Sequence, residues 1–346
     1  MPSETGPDQA NDTRLLYIDI AKTILIYSFL VAHSFRYSLY HAVYWNTGCF
    51  VILSGYIIGK FKVGKPLSVS SFLTKAFKIN LWIFIYILSI WILHYFRRVE
   101  HPFLSSISVY SSVLEFIAIF YLLLPILSTS SRPGRLAFWM FISILAANYI
   151  AMLTNGIWPG HYDGTIKLLI MGSDYSADLT YYPLLSFANL GFLGLLYAKI
   201  EEKQKNILPI SITITALLYI VMYLNEATHT GIMTERFPPL VFYSLLSLSI
   251  FSLIIEISKA IEDKFLKHDL GRYFIFCAKY SVAIFVFHDP LISIVHKFFP
   301  DIFAVQNYFK ALLISIVFSL GVVVLLCLIF LLSFEKMPRA WQKKLF

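Results

Sequence analysis

The feature that most constrains this chain is a series of apolar stretches, each about 20 residues long, that recur from end to end. Hydrophobic residues make up 58% of the 346 residues and charged residues only 14%, too few charges to cover a soluble domain of this size. About 20 apolar residues cross a bilayer as an α-helix, and these stretches lack the alternation of membrane β-strands. We therefore predict an all-α polytopic membrane protein.

The lengths of these stretches predict about ten transmembrane helices. They are placed at 15–34, 41–59, 80–96, 107–128, 136–153, 180–199, 207–225, 238–258, 273–296 and 310–334. The spans form one membrane domain, residues 15–334, between an N-terminal tail, 1–14, and a basic C-terminal tail, 335–346. Because the first tail is polar and lacks a basic segment, we expect the first span to be retained as a signal anchor.

The net charge of +8 is distributed unevenly, because Lys and Arg concentrate in every second loop and in the C-terminal tail. The positive-inside rule places these loops in the cytoplasm, and an even number of spans then puts both termini there. Orientation, with attraction to anionic lipid, accounts for most of this charge. A chain this apolar is not expected to bind nucleic acid.

Ionisable residues inside a predicted span are costly, so each is a functional candidate. In the first span Asp19 and Lys22 share a helix face, and His33 lies on that face about 16 Å further along. In the ninth span His288 lies at a similar depth, followed by Pro290, which we expect to loosen the helix there. Two histidines at matched depth suggest that both side chains face one cavity. The structural alternatives are an ion pair at a helix start and two interfacial histidines.

The second span carries the segment Ser54-Gly55-Tyr56, whose small residues also suit close helix packing. The loop 60–80 that follows is basic, and its second half, 72–78, has the pattern of an interfacial helix. An outer loop, 154–179, is polar enough to contact a substrate, although a solvated connector explains it equally well.

Metal chemistry is not indicated, because the histidines lack the spacing of a zinc site. The cysteines lie far apart in apolar stretches, so we interpret them as small buried hydrophobic residues. They are Cys49, Cys277 and Cys327.

Taken in order, these segments resemble the membrane acyltransferases of the acyltransferase-3 family. The resemblance covers nearly the whole chain and rests on short motifs: Asp19-x-x-Lys22 followed by His33, Phe50-x-x-x-Ser54-Gly55-Tyr56, the basic segment, and Tyr280-Ser281 leading to His288. Other segments resemble the related heparan-α-glucosaminide N-acetyltransferase group. These are 113–119, 181–185 and 191–194, with His41 as a counterpart of that group's histidine after the first span.

This resemblance implies transfer of an acyl group, usually acetyl, from cytoplasmic acyl-CoA to a carbohydrate hydroxyl or amine, with no bound cofactor. Lys22 stands where the family pattern has Arg, which keeps the charge but loses the bidentate fork. The Pro expected at 81–86 is absent. A bacterial inner membrane is the expected location, with the bilayer, the acyl-CoA donor and the carbohydrate acceptor as partners.

The roles that follow are expectations. His33 is the general base, and His288 orients the acceptor, relays the proton or stabilises the oxyanion. Asp19 and Lys22 belong to the expected catalytic site, and the acyl arm of the donor passes them and Ser54. The residues expected to contact the substrate are Ser54, Gly55, Tyr56 and His41. Basic residues, among them Lys60 and Lys62, dock the phosphates of the donor. The alternative function is a proton-coupled transporter or flippase of a glycan, lipid or small osmolyte, because paired charges and histidines in spans suit a carrier as well.

Overall fold

The computed structural model describes nine continuous ranges and scattered helical residues between 310 and 325. The ranges are 15–34, 45–62, 69–96, 113–128, 132–155, 184–203, 207–228, 241–266 and 269–298. All regular secondary structure in these ranges is helical, which confirms the all-α prediction. The predicted tails, His41, Cys327 and all but the first two residues of the loop 154–179 lie outside the described residues.

Eleven helices have defined bounds within the described ranges. They are α1 Leu16–Ser34, α2 Asn46–Lys62, α3 Val69–Phe96, α4 Val113–Ser128, α5 Pro133–Asn155, α6 Leu184–Ala188, α7 Leu190–Glu201, α8 Ile207–Thr228, α9 Val241–Leu266, α10 Asp269–Lys279 and α11 Ser281–Phe298. Each lies on one of the predicted spans or directly beside it.

Among the residues that the structure describes, two helical segments, Val69–Ser89 and Val241–Phe265, are long and apolar enough to cross a membrane alone. The bent pair Tyr273–Lys279 and Ser281–Ile292 gives a third if it is one span. Large apolar side chains on the outer faces are exposed, among them Phe77 at 72%. Exposed apolar faces of this kind suit a lipid environment. The number of about ten spans and the orientation of the termini stay predictions.

The basic loop predicted at 60–80 is shorter in the structure, because α2 continues to Lys62 and α3 already begins at Val69. The segment 72–78 is therefore not a separate interfacial helix but the start of a 28-residue helix that contains the whole third predicted span. Pro66 is the last helix breaker before α3, and the helix from Val69 to Phe96 contains no proline or glycine that would interrupt it. Phe72 is fully buried among α4, α5 and α7, which fixes this end of α3 in the bundle.

The ninth predicted span is bent, at a position before the proline that is expected to loosen its helix. The chain bends by 67° between α10 and α11, at Tyr280, whereas α11 continues through Pro290 to Phe298. A proline inside a membrane helix is tolerated where neighbouring groups satisfy the freed carbonyl. The sixth predicted span is only locally irregular, since Asn189 between α6 and α7 keeps helical dihedral angles and donates its N–H to the Leu185 carbonyl oxygen.

Close packing of α2 against α7 forms the centre of the bundle. A Cβ atom placed on Gly55 would lie 1.7 Å from the Gly191 carbonyl oxygen, and one on Gly194 would lie 1.8 Å from the Ile52 carbonyl oxygen. Only glycine allows two backbones to approach this closely. Gly55 therefore has the packing role that its sequence context also suggested, and it holds α2 close against α7.

The main apolar core surrounds this pair and joins α1, α3, α9 and α11 to it. Cys49 and Cys277 are buried free thiols, as predicted. Because α1 contacts α9, α10 and α11 on one side and α2 on another, it connects the two polar regions described next.

Candidate functional site

Two groups of side chains contact α1 at different depths. The first contains His288 and lies near Phe29, and the second is a charged network beside Tyr17. Phe29 and Tyr17 are about 18 Å apart along the helix axis. On the predicted orientation the histidine group lies toward the outer face and the charged network lies at the cytoplasmic face.

The histidine group joins three of the sequence motifs. The His288 ring is 4.9 Å from the Phe29 ring and 5.4 Å from the Phe285 ring, measured between centroids. Phe50, which begins the motif on α2, lies 6.1 Å from Phe29 and 6.2 Å from Phe285. We call Phe29, Phe50 and Phe285 the aromatic trio. Residues from α1, α2 and α11 therefore meet beside one buried imidazole, which is 1% exposed.

The structure also places the final turn of α1 beside this group. His33 follows Phe29 by four residues, one helical turn or about 6 Å, on the same face of α1. The backbone of His33 is part of α1, and its side chain lies outside the described part of the structure. A shared cavity for His33 and His288 stays a prediction, but the helices that carry them pack together at the required depth.

One hydrogen bond determines which nitrogen of His288 can act as a base. Nδ1 of His288 is bonded to the Phe285 carbonyl oxygen. A carbonyl oxygen only accepts, so Nδ1 is the protonated nitrogen and donates. In the neutral ring the lone pair is then on Nε2, the nitrogen that can accept a proton. Phe285 thus contributes its ring to the aromatic trio, and its carbonyl oxygen fixes the tautomer of His288.

The charged network is centred on Glu201 at the end of α7, whose side chain is 5% exposed. Its carboxylate lies 2.8 Å from Lys60 Nζ of α2 and is also paired with Lys259 of α9. Tyr56 donates a hydrogen bond of 2.8 Å to the same carboxylate. Because this uses the only proton of Tyr56, Tyr17 of α1 must donate the 3.0 Å bond between the two phenols.

Further acidic residues of α9 complete the network. Lys259 Nζ lies 2.6 Å from Glu256, and Glu262 accepts a 3.0 Å hydrogen bond from the backbone N–H of Tyr17. Four helices, α1, α2, α7 and α9, are therefore joined through one nearly buried carboxylate and its partners. Burial by itself would raise the pKa of Glu201, but hydrogen bonds from Lys259, Lys60 and Tyr56 outweigh burial and hold that pKa below its ordinary value.

The structure brings only some of the predicted site residues into these two groups. Asp19 is buried at 4% exposure on α1, and Lys22 is half-buried one turn further along. Ser54 donates its hydroxyl to the Phe50 carbonyl oxygen at 3.1 Å. Tyr56 and Lys60 belong to the charged network. The side chain of Lys62 lies outside the described part of the structure.

The structure adds residues that the sequence analysis did not select: Glu201, Glu256, Lys259, Glu262 and Phe285. Lys259 is one of the basic residues that set the predicted orientation of the chain. The sequence contains no signal for these ion pairs. Every predicted cytoplasmic loop has several charges near a helix end, and the sequence does not show which of these charges meet. Among the described residues, no group of three or more His, Cys, Asp or Glu side chains is placed to hold a metal ion.

The sequence profile of the acyltransferase-3 family, described as an acyltransferase domain, matches residues 15–333. The chain belongs to the acyltransferase-3 family. This acyltransferase is therefore an enzyme that transfers acyl groups, and its apolar helices identify it as an integral membrane protein. A comparison with curated proteins finds no matching relative. The narrower resemblance to the heparan-α-glucosaminide N-acetyltransferase group stays a prediction.

Proposed function

We propose that this acyltransferase moves an acetyl group from cytoplasmic acetyl-CoA to a carbohydrate hydroxyl of a glycan or its precursor, in a bacterial inner membrane. About ten spans with both termini in the cytoplasm form the scaffold. Family membership supports acyl transfer. The observation that carries the proposal is the contact between Phe29 and His288, which brings the turn of α1 that contains His33 beside the buried imidazole.

In this mechanism His33 removes the proton of the acceptor hydroxyl as its oxygen attacks the thioester carbonyl carbon. The new C–O bond forms, the C–S bond breaks, and CoA leaves as a thiolate that takes up the proton. The Nε2 lone pair of His288 accepts a hydrogen bond from the acceptor or relays the proton, because Nδ1 is held by Phe285.

Direct transfer needs fewer steps than a covalent acyl-enzyme. The two hydroxyls of the α2 motif are each engaged: Ser54 donates to Phe50, and Tyr56 donates to Glu201. Acylation of either residue would first break its hydrogen bond. We therefore assign no nucleophile to the protein itself.

The donor is expected to approach from the cytoplasmic face, with its acyl arm passing Asp19 and Lys22 on α1. The charged network alters the predicted role of Lys60, because this cation already neutralises Glu201 and lies 4.0 Å from Glu202. A cation paired in this way attracts a phosphate less strongly than one paired only with water. We propose that Lys62 and Lys65 dock the phosphates and that Lys60 mainly fixes α2.

The first test compares acetyl transfer by wild type with that by His33→Ala and His288→Ala, using radiolabelled acetyl-CoA and purified protein in detergent. Loss of a general base typically lowers the rate 10²- to 10⁴-fold, so His33→Ala should abolish measurable transfer while acetyl-CoA still binds. His296→Ala, eight residues beyond His288 on α11, is the matched control and should keep wild-type activity. Full transfer by His33→Ala would refute its assignment as the base.

The donor site is tested by calorimetry with acetyl-CoA. A Lys62→Met/Lys65→Met variant should bind acetyl-CoA more weakly, with its thermal midpoint unchanged. Lys60→Met should lower the thermal midpoint, since its partner Glu201 is then left with one fewer cation. Its affinity for acetyl-CoA should stay closer to that of wild type than the affinity of the Lys62→Met/Lys65→Met variant does. Absence of any acyl-CoA binding by folded wild-type protein would contradict the proposed donor.

A further inference from the structure

One face of α2 is accessible, although this helix lies at the centre of the bundle. Within residues 46–59 only Phe50, Ser54 and Ile57 are half-buried, and every other residue is buried. Phe61, one turn beyond Ile57, is 41% exposed. The successive spacings of four, three and four residues place these side chains on one face of the helix. We call Phe50, Ser54, Ile57 and Phe61 the α2 stripe.

The α2 stripe connects the inner end of α2 with the histidine group. Phe61 and Phe50 are about 16 Å apart along the helix axis. At one end Lys62, which belongs to the proposed docking site for the phosphates of the donor, directly follows Phe61. At the other end the Phe50 ring lies within 6.2 Å of both other rings of the aromatic trio, and those rings contact His288. A thin substrate arm bound along this face would bring its reactive end to the trio.

A cation on α1 indicates that the space beside these faces is polar. Lys22 is half-buried and precedes Phe29 by seven residues, two helical turns, so the two residues share one face of α1. That face meets the α2 stripe where Phe29 and Phe50 pack edge to face. An ammonium group that faces hydrocarbon costs about 3 kcal/mol, so a lipid-filled space beside Lys22 is disfavoured.

The chemistry of the α2 stripe suits the pantetheine arm of acyl-CoA, in which amide groups alternate with short apolar segments. Ser54 donates its hydroxyl to the Phe50 carbonyl oxygen at 3.1 Å, so the Ser54 oxygen can still accept a hydrogen bond from an amide N–H. Ile57 and Phe61 offer apolar contact to methylene and methyl groups. The hydrocarbon tail of a lipid would leave the Ser54 acceptor unused.

Phe50 closes the outer end of the α2 stripe. Its ring meets Phe29 at 86° and Phe285 at 73°, and these two neighbours are only 8% and 6% exposed. Packing of this density admits further methylene groups only if a ring moves. We propose that the α2 stripe binds the pantetheine arm of the donor and that Phe50 limits the acyl group to acetyl. This inference rests on the proposed function and adds a specificity-determining residue to it.

The route of the arm is tested by labelling cysteine variants in lipid nanodiscs with a water-soluble, membrane-impermeant maleimide. Ile57→Cys should be labelled, because its face is open to water, and saturating acetyl-CoA should protect it. Ile58→Cys is the matched control, since Ile58 is 1% exposed. It should show only the background of wild type, in which Cys49 and Cys277 are buried. This experiment needs no acceptor.

Three labelling results would overturn the inference. Ile57→Cys that reacts no more than wild type would show that the stripe faces lipid or protein. Labelling that acetyl-CoA leaves unchanged would show that the arm takes another route, and equal labelling of Ile58→Cys would show that the face is not selectively open. If wild type binds acetyl-CoA in calorimetry, the proposed donor survives each of these results. Absence of acetyl-CoA binding by wild type would refute both proposals.

The role of Phe50 is tested by calorimetry with acetyl-CoA and butyryl-CoA. Wild type should bind butyryl-CoA at least about 10-fold more weakly, since even one methylene group in a close-fitting pocket changes binding by this factor. In Phe50→Ala the difference should disappear, and in Phe50→Leu, which keeps an apolar side chain in case the smaller residue prevents folding, it should shrink. Phe192→Ala, at a buried ring that packs on Phe120 of α4, is the matched control and should keep the wild-type ratio.

A ratio of two affinities within one variant does not depend on how much of the protein is folded. Equal affinities for the two thioesters in wild type would overturn the role of Phe50. So would a wild-type ratio in both Phe50 variants, or an equal loss of discrimination in Phe192→Ala.

Discussion

Glu201 Oε2 lies 2.8 Å from Lys60 Nζ, and this contact joins the end of α7 to the end of α2 directly beyond their glycine-mediated packing. The same carboxylate accepts from Tyr56 and pairs with Lys259. Removal of one partner from a buried ion pair leaves the other charge uncompensated. This usually destabilises the protein more than replacing the whole pair by apolar residues.

We therefore expect Glu201→Gln to destabilise the protein by about 3 kcal/mol, the lower end of the range for a broken buried pair. The lower end applies because Lys259 keeps Glu256 as a partner. Denaturation by SDS in mixed micelles measures the free energy of unfolding. Glu202→Gln, at a neighbouring carboxylate that is 58% exposed, is the control and should change it by less than about 0.5 kcal/mol. Equal effects of the two substitutions would show that the network does not stabilise the bundle.

The pH dependence of stability follows from the lowered pKa of Glu201. A carboxylate with a depressed folded-state pKa contributes its full stabilisation above its unfolded pKa, about 4.3, and loses it as the pH falls through the folded value. The thermal midpoint of wild type should therefore decline as the pH drops below about 4. In Glu201→Gln this part of the acid decline should be absent, and an unchanged decline would assign it to other carboxylates.

The glycine contact between α2 and α7 predicts a large effect from one methyl group. Gly55→Ala places a Cβ atom 1.7 Å from a backbone oxygen that cannot rotate away, so the helices must separate. We expect a loss of at least about 3 kcal/mol in the free energy of unfolding, the upper end for an overpacked core. Gly321→Ala has nothing within 4 Å of the new Cβ and should be neutral or stabilise by up to about 1 kcal/mol. Similar results for both would contradict the packing role.

The aromatic trio is expected to position His288. Phe29→Leu keeps an apolar side chain but removes the ring that contacts the imidazole, so transfer should fall about 10- to 100-fold through misplacement of a catalytic group. Phe116→Leu is the matched control, because Phe116 is buried and stacks on Phe187 at 4.5 Å, apart from the trio. Both variants should lose about 1 kcal/mol of stability, but only Phe29→Leu should lose activity. An equal loss of activity in Phe29→Leu and Phe116→Leu would indicate a general packing effect.

Much of the fold follows from local sequence. Apolar length predicts the helices, and small residues at 54–55 predict close packing, since both signals depend on residues adjacent along one helix. Pro290 does not mark the bend in the ninth predicted span. A proline affects the helix only in its own turn, whereas the bend at Tyr280 depends on how α10 and α11 pack against α1. The paired motifs of the first and ninth spans were recognised from the sequence, but the Phe29–His288 contact that joins them was not.

The sequence by itself determined that this protein is helical and resides in a membrane, and it predicted histidines at comparable depth in two spans. Only the tertiary structure decided that Glu201 holds Lys60 and Lys259 and that Phe285 sets the tautomer of His288. Hydrophobic length and helical periodicity are properties of one segment. Ion pairs depend on which helices meet and at what level, and residues far apart in the chain decide this together.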